Sequence, residues 1–151
     1  MPLTPTNVEA AIRAHQVPIE NYAQNLLYNL NPIQPLVIEF LNVSSEAYTV
    51  LEPHRVLINF TPDLLSKSPN VGIKLLAHEM IHALRPHTCV ELGLCNYLEE
   101  GVAEWFEEQY MIHAGLPFSP KLYTSNILMK YNLAKELYRN VHIQRNIQCT
   151  Y

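Results

Sequence analysis

The five residues His78-Glu79-Met80-Ile81-His82 constrain this chain more than any other stretch. In an α-helix, His78 and His82 lie one turn apart on the same face, so both imidazoles can reach one metal ion at the usual Zn–N distance of about 2.0–2.1 Å. Glu79 lies about 100° further around such a helix, beside the open side of the ion. A carboxylate there can accept a proton from a zinc-activated water, and this is the role of the general base in a metallopeptidase.

The residues around this motif favour a helix. Apolar residues recur at helical spacing and define a face separate from the histidines: Ile73, Leu76, Ala77, Met80, Ile81 and Leu84. Ser68-Pro69-Asn70 supplies N-capping residues before the helix, and Pro86 prevents its continuation. The alternative interpretation is a core helix whose two histidines are satisfied by hydrogen bonds, because short motifs also occur by chance.

Length and composition predict one globular domain over residues 1–151. The hydrophobic content of 48% and the charged content of 16% are not those of a disordered chain, and a formal net charge of −4 argues against a nucleic-acid-binding surface. No apolar run approaches the roughly 18 residues needed to span a bilayer, and Met1 to Ala14 lacks the apolar core of a signal peptide. We therefore expect a cytoplasmic protein that binds neither nucleic acid nor membranes.

The three cysteines, Cys89, Cys95 and Cys149, are odd in number, which argues against a full disulfide framework. Cys89 and Cys95 could pair in an oxidising compartment, but their spacing matches no zinc knuckle, and buried free thiols are the favoured interpretation. A less favoured alternative is that Cys149 occupies the open position of the zinc ion and keeps an enzyme latent.

Before the motif, the pattern predicts two helices and three strands. Residues 5–15 and 18–30 carry apolar side chains at helical spacing, and Pro18 would open the second helix. Three short segments are rich in strand-forming residues: 36–41, 47–51 and 55–60. Glu52-Pro53-His54 is typical of the turn of a hairpin between the last two.

After the motif, we expect a loop over 87–96 and then a helix from Tyr97 to about His113, ended by Gly115 and Pro117. A last helix is predicted over about 125–141. The predicted fold class is therefore α+β: a small three-stranded sheet packed on the helix of the histidine motif and on a second, glutamate-bearing helix, with flanking N- and C-terminal helices.

A catalytic zinc ion usually has three protein ligands, so a third must come from another element. Glu100 is the best candidate, because the interval after His82 accommodates a loop and a return helix, and Gly101 permits that helix to approach closely. Glu99 and Glu104 are the alternatives for this ligand.

Glu104 follows Glu100 by one helical turn and is placed to accept a hydrogen bond from the second nitrogen of a ligating histidine. The other interpretation for the acids of this segment is a solvated helix face. That interpretation accounts well for Glu107 and Glu108.

Together with the histidine motif, Glu99-Glu100-Gly101-Val102-Ala103-Glu104 resembles the gluzincin group of zinc metallopeptidases. In that group a glutamate from a second helix joins the two histidines, in patterns such as N-E-G-x-A or E-x-x-[AS]-D. The resemblance covers about residues 54–110 and is greatest to the small, single-domain minigluzincins. Glu104 stands where the group has aspartate, and Glu99 stands where it often has asparagine.

This resemblance implies a zincin-like fold in which His78, His82 and Glu100 bind Zn²⁺ and Glu104 orients a histidine. Residues 55–60 look like the strand at the upper rim of such a cleft. The implied reaction is peptide-bond hydrolysis, with Glu79 as general base and a further residue stabilising the oxyanion. The candidates for that residue are Tyr123, Tyr131, His113 and His142, of which Tyr131 is preferred.

The implied partner is a peptide or protein substrate, bound extended along an edge strand formed by 47–51 or by 55–60. The competing function is a zinc-stabilised, latent or non-catalytic interaction or regulatory domain, which the small size of the chain favours. The presence of Glu79 argues against that function, because a structural site has no use for a base beside the metal. A third interpretation, a helical protein without metal, requires both glutamate and histidine motifs to coincide by chance.

Overall fold

The structure is a computed structural model that describes residues 4–27, 30, 35–41, 47–52, 54–84 and 93–119. Its helices are α1 (Pro5–Ala14), α2 (Gln16–Leu26), α3 (Pro69–Leu84) and α4 (Gly93–Ala114), with a 3₁₀ turn at Pro62–Ser66. Its strands are β1 (Leu36–Glu39), β2 (Ala47–Leu51) and β3 (Val56–Phe60). The predicted α+β class is confirmed, whereas the predicted helix over 125–141, Tyr131 and Cys149 lie outside the described residues. In the described ranges, no helix has both the length and the apolar character that crossing a bilayer requires.

The two N-terminal helices meet at a corner with a single residue between them. Thr4 caps α1 by accepting a hydrogen bond from the Asn7 amide at 3.2 Å. The second helix begins at Gln16, so the predicted start at Pro18 is wrong; a proline is tolerated there because amides of the first turn have no helical acceptor. At the corner, His15 Nδ1 lies 2.6 Å from the Tyr110 hydroxyl, which ties α1 and α2 to α4.

The three strands form one mixed sheet in the order β1-β3-β2. The predicted hairpin is confirmed: β2 pairs antiparallel with β3, and the Glu52 amide donates to the Arg55 carbonyl at 2.9 Å. Strand β1 pairs parallel with β3 on its other side. Because both edges of β3 are paired, residues 55–60 cannot accept an added strand, and β2 is the edge strand of this hairpin.

The predicted apolar face of α3 is buried, but so is the opposite face. Lys74, His78 and Glu79 are each less than a tenth exposed, together with the apolar residues expected to pack. Helix α3 is central because the sheet, α1 and α4 all contact it. Gly72 permits a close approach of α1, since a Cβ at this position would lie 2.3 Å from the Ile12 side chain.

Helix α4 begins at Gly93, four residues before the predicted start, so residues 93–96 of the predicted loop over 87–96 are helical. Its end is where the sequence predicts it. Gly115 adopts a left-handed conformation at φ 70°, and the Leu116 amide donates to the Met111 carbonyl at 2.9 Å. Both features are those of a glycine-terminated helix.

Candidate metal centre

Helices α3 and α4 run antiparallel and bring four possible ligand atoms of three residues together. Glu100 of α4 lies with its Oε2 3.1 Å from His78 Nε2 and its Oε1 2.9 Å from His82 Nε2. The two Nε2 atoms are 3.2 Å apart. Ligands about 2.0–2.1 Å from a tetrahedral zinc ion are separated by about 3.3 Å, so these three distances are close to the spacing between zinc ligands.

The nature of these atoms also fits a cation. A carboxylate oxygen can only accept a hydrogen bond, and each Nε2 carries one proton at most. The two nitrogens lie 3.2 Å apart and each lies within 3.1 Å of a carboxylate oxygen, so these atoms repel unless protons or a metal ion lie among them. Two imidazole nitrogens and one carboxylate are a donor set that catalytic zinc sites use.

The surroundings of Glu100 strongly favour the ionised form of its carboxyl group. Burial alone would raise the pKa of its carboxyl, but hydrogen bonds from His78 and His82 outweigh burial and hold that pKa well below its usual range. The carboxyl is therefore ionised at neutral pH, which is the form that binds a metal ion.

Glu79 lies at the side of this group and is almost fully buried. Its Oε2 is 3.9 Å from His78 Nε2. Its Oε1 accepts a hydrogen bond of 2.6 Å from the hydroxyl of Thr49, a residue of the edge strand β2. Sequence reasoning did not identify Thr49, because its place above α3 depends on how the sheet packs on the helix.

The second ring nitrogen of His78 is held by acids of α4. Its Nδ1 lies 3.2 Å from Glu107 Oε1 and 3.5 Å from Glu104 Oε1. The predicted acid, Glu104, therefore lies near this nitrogen, but the shorter contact is to Glu107. The interpretation of Glu107 and Glu108 as a solvated face is wrong, since both are buried and Glu107 is 0% exposed.

The sequence did contain a signal for Glu107. Glu100, Glu104 and Glu107 are spaced at i, i+4 and i+7, which is one stripe of a helix. A third acid on the stripe that carries the predicted ligand faces the same neighbour, α3. Burial raises the pKa of Glu107, and the adjacent negative charge of Glu104 acts in the same direction.

The carboxylates raise the pKa of His78. Burial of the imidazole opposes its charged form, but hydrogen bonds to Glu100 and Glu107 and their negative charges raise the pKa well above its ordinary value. With both ring nitrogens facing acids, the protonated ring donates a hydrogen bond at each nitrogen. A metal ion at Nε2 would replace one of those protons.

Lys74 continues the same stripe of α3, one turn before His78. Its Nζ lies 3.7 Å from Glu107 Oε2 and donates to the Ser119 carbonyl at 3.3 Å. A cavity of about 470 Å³ adjoins Lys74 and Glu107, with Phe118 in its wall. The histidines do not line this cavity, so it is separate from the four possible ligand atoms.

The residues predicted to stabilise an oxyanion are not brought to this site within the described residues. His113 is exposed and stacks on Tyr22 with ring centroids 4.2 Å apart. It follows Glu100 by 13 positions, which is about 20 Å along a helix at 1.5 Å per residue. Tyr123, Tyr131 and His142 lie outside the described residues.

Comparison of the chain with known protein families, with curated proteins and with solved structures finds no match. The site must therefore be interpreted from its own geometry. Among the described residues, two groups offer three possible ligand atoms that all lie within 4.8 Å of one another: His78 with Glu79 and His82, and His78 with Glu104 and Glu107. Glu100 belongs to neither group, so its place in the candidate site rests on its contacts with His78 and His82.

Proposed function

We propose that this protein is a zinc-dependent metallopeptidase, a hydrolase of the gluzincin type with a zincin-like arrangement of its sheet and two central helices. One observation carries the proposal. The Nε2 atoms of His78 and His82 lie 3.2 Å apart, and the two carboxylate oxygens of Glu100 lie 3.1 Å and 2.9 Å from them, one oxygen near each nitrogen, with the Glu79 carboxylate beside them. Such a site needs three ligands and an adjacent base, and these four residues are of the right types.

In the proposed reaction, bound zinc supplies Lewis-acid activation of a water molecule and of the scissile carbonyl. Glu79 accepts a proton from the water as the water oxygen forms a bond to the carbonyl carbon. Glu79 then delivers that proton to the amide nitrogen as the carbon–nitrogen bond breaks, which gives a carboxylic acid and an amine; the acid loses its own proton to the amine or to solvent. His78 is kept in one orientation by Glu107 at its other ring nitrogen.

The proposed substrate is a peptide bound in an extended conformation along β2. This strand has one edge paired with β3 and lies against α3, with Thr49 directed at Glu79. Its neighbours Tyr48 and Val50 are 38% and 37% exposed, as expected when alternate side chains point to opposite faces. Main-chain pairing along such an edge tolerates many sequences, so it favours a peptide without selecting one.

The proposal is tested by incubating the zinc-loaded protein with a peptide library and identifying new termini by mass spectrometry. The matched control is Glu79→Gln, which keeps the side-chain shape and the three ligands but removes the base. We expect cleavage by the wild-type protein and a loss of about a hundredfold or more in Glu79→Gln at equal zinc content. Equal cleavage by both proteins would contradict the proposal.

A second function is favoured by one contact. Because Glu79 accepts a hydrogen bond from Thr49, it also has a structural partner between α3 and the sheet. A zinc-stabilised interaction or regulatory domain would use Glu79 in that way and cleave nothing. Binding of one zinc ion without hydrolysis of any library member would support this second function.

A further inference from the structure

The two carboxylate oxygens of Glu79 have different neighbours, and Thr49 contacts one of them. Its hydroxyl donates to Glu79 Oε1 at 2.6 Å, and the same hydroxyl lies 3.2 Å from the Glu79 carbonyl oxygen. The other carboxylate oxygen, Oε2, lies 3.9 Å from His78 Nε2. One oxygen is thus fixed to the sheet, and the other faces the proposed ligand atoms.

The backbone of Thr49 is itself fixed. It pairs with Ile58 of the central strand β3, whose side chain is fully buried. The hydroxyl therefore reaches α3 from an anchored position. A carboxylate that has lost water on burial is also bound more strongly by a hydroxyl donor than an exposed one, and Glu79 is 8% exposed.

The geometry points to Thr49 as a positioning residue for Glu79: its hydroxyl holds Oε1 so that Oε2 is the oxygen available to take the proton of the activated water. This inference rests on the proposed peptidase function, which gives Glu79 that proton to take. Without the hydroxyl, rotation of the carboxyl group would allow either oxygen, or neither, to face the histidines.

Two substitutions separate the hydroxyl from the rest of the side chain. Thr49→Val keeps the branched shape that a strand favours and removes the hydroxyl, whereas Thr49→Ser keeps the hydroxyl and removes a methyl group. Thr61→Val is the control for replacing a threonine elsewhere, because the Thr61 side chain makes no capping hydrogen bond.

Two measurements do not depend on peptide hydrolysis. The first is a double-mutant cycle on the thermal midpoint of the zinc-free protein: Thr49→Val lowers the midpoint when Glu79 is present and has no such effect in Glu79→Ala. The second is the visible absorption of the Co²⁺-loaded protein, which responds to groups around the metal. The spectrum of Thr49→Val moves towards that of Glu79→Gln, and Thr49→Ser keeps the wild-type spectrum.

The kinetic measurement is kcat and KM for a peptide that the wild-type protein cleaves. Thr49→Val is expected to lower kcat by about tenfold with KM and zinc affinity changed less than about twofold, and Thr49→Ser restores most of kcat. The inference is overturned if Thr49→Val and Thr49→Ser have the same kcat and the same Co²⁺ spectrum. If the wild-type protein cleaves no peptide but the spectra behave as expected, the peptidase function fails and the positioning by Thr49 stands.

Discussion

His78 Nδ1 lies 3.2 Å from Oε1 of Glu107, and both side chains are buried. Glu107 lies about two turns of α4 after Glu100. This contact orients the ring whose opposite nitrogen faces Glu100 and His82. It also connects the proposed metal centre to Lys74, which lies 3.7 Å from the second oxygen of Glu107. The arrangement of α4 around His78 predicts a measurable difference between Glu104 and Glu107.

Removal of Glu107 should weaken zinc binding more than removal of Glu104. Loss of an acid that orients a ligating histidine typically lowers metal affinity by about 10–100-fold. We expect Glu107→Ala in that range and Glu104→Ala at a smaller loss, because the Glu104 contact with Nδ1 is 3.5 Å. Competition with a zinc-binding dye measures both constants. A larger loss in Glu104→Ala would identify Glu104 as the acid that holds His78.

Zinc binding should release protons near neutral pH. The acids around His78 raise its pKa well above 6.5, so the ring keeps its proton to a higher pH than a free imidazole, and zinc must displace that proton. We expect zinc affinity to rise by up to about tenfold per pH unit between pH 6 and pH 7.5. Calorimetry in buffers of different ionisation enthalpy counts the protons released. A constant affinity over this interval would contradict a raised pKa at His78.

The raised pKa of His78 also makes the stability of the zinc-free protein depend on pH, in a direction that follows from the shift. Because the pKa of His78 is higher in the folded than in the unfolded state, its contribution is fully present below pH 6.5. The contribution is lost as the pH rises through the folded pKa. The difference between the free energies of unfolding of the wild-type protein and of His78→Gln, measured in urea, should therefore be largest below pH 6.5. A difference that grows above that pH would have the wrong sign.

Neutralising Glu20 should stabilise the protein. This residue of α2 is 8% exposed, its Oε1 has no hydrogen-bond partner among the described residues, and burial raises its pKa. We expect Glu20→Gln to add about 0.5–1 kcal/mol to the free energy of unfolding at pH 7, because ionising a buried acid is costly. The two proteins should converge as the pH falls through 4.5, where Glu20 is protonated in both states. A gain independent of pH would exclude ionisation as the cause.

A larger residue at position 72 should separate α1 from α3. A Cβ at Gly72 would lie 2.3 Å from Ile12 Cδ1, and Ile12 is fully buried. We expect Gly72→Leu to cost about 2 kcal/mol or more in urea unfolding. Ile12→Ala makes room, so the double variant should be less destabilised than the sum of the single variants by at least about 1 kcal/mol. Simple additivity would show that the two helices do not meet at this pair.

The parts of the site that the sequence predicted depend on local spacing. His78, His82 and Glu79 are related by one helical turn, and Glu100 could be inferred because a third ligand must return from a second helix. The errors at Glu107 and Glu108 came from assigning acids to solvent by residue type. Burial of those acids depends on how α4 packs along α3, which the period of the pattern alone does not determine.

The remaining features depend on contacts between distant segments. The strands were predicted from their composition, but the position of β3 between β1 and β2 is set by pairing across the chain. For the same reason, Thr49 could not be linked to Glu79, which lies 30 positions later. The predicted starts of α2 and α4 are wrong because the first turn of a helix tolerates both proline and glycine. Pro18 therefore lies inside the first turn of α2, and Gly93 is the first residue of α4.

The central claim, that His78, His82 and Glu100 hold one zinc ion, is tested most directly by the zinc-to-protein ratio of the purified protein, measured by plasma mass spectrometry. We predict a ratio near one for the wild-type protein, and a ratio near zero for the double variant His78→Ala/His82→Ala after the same treatment. A wild-type protein that retains no zinc, even after zinc is supplied and the excess removed, would contradict the account.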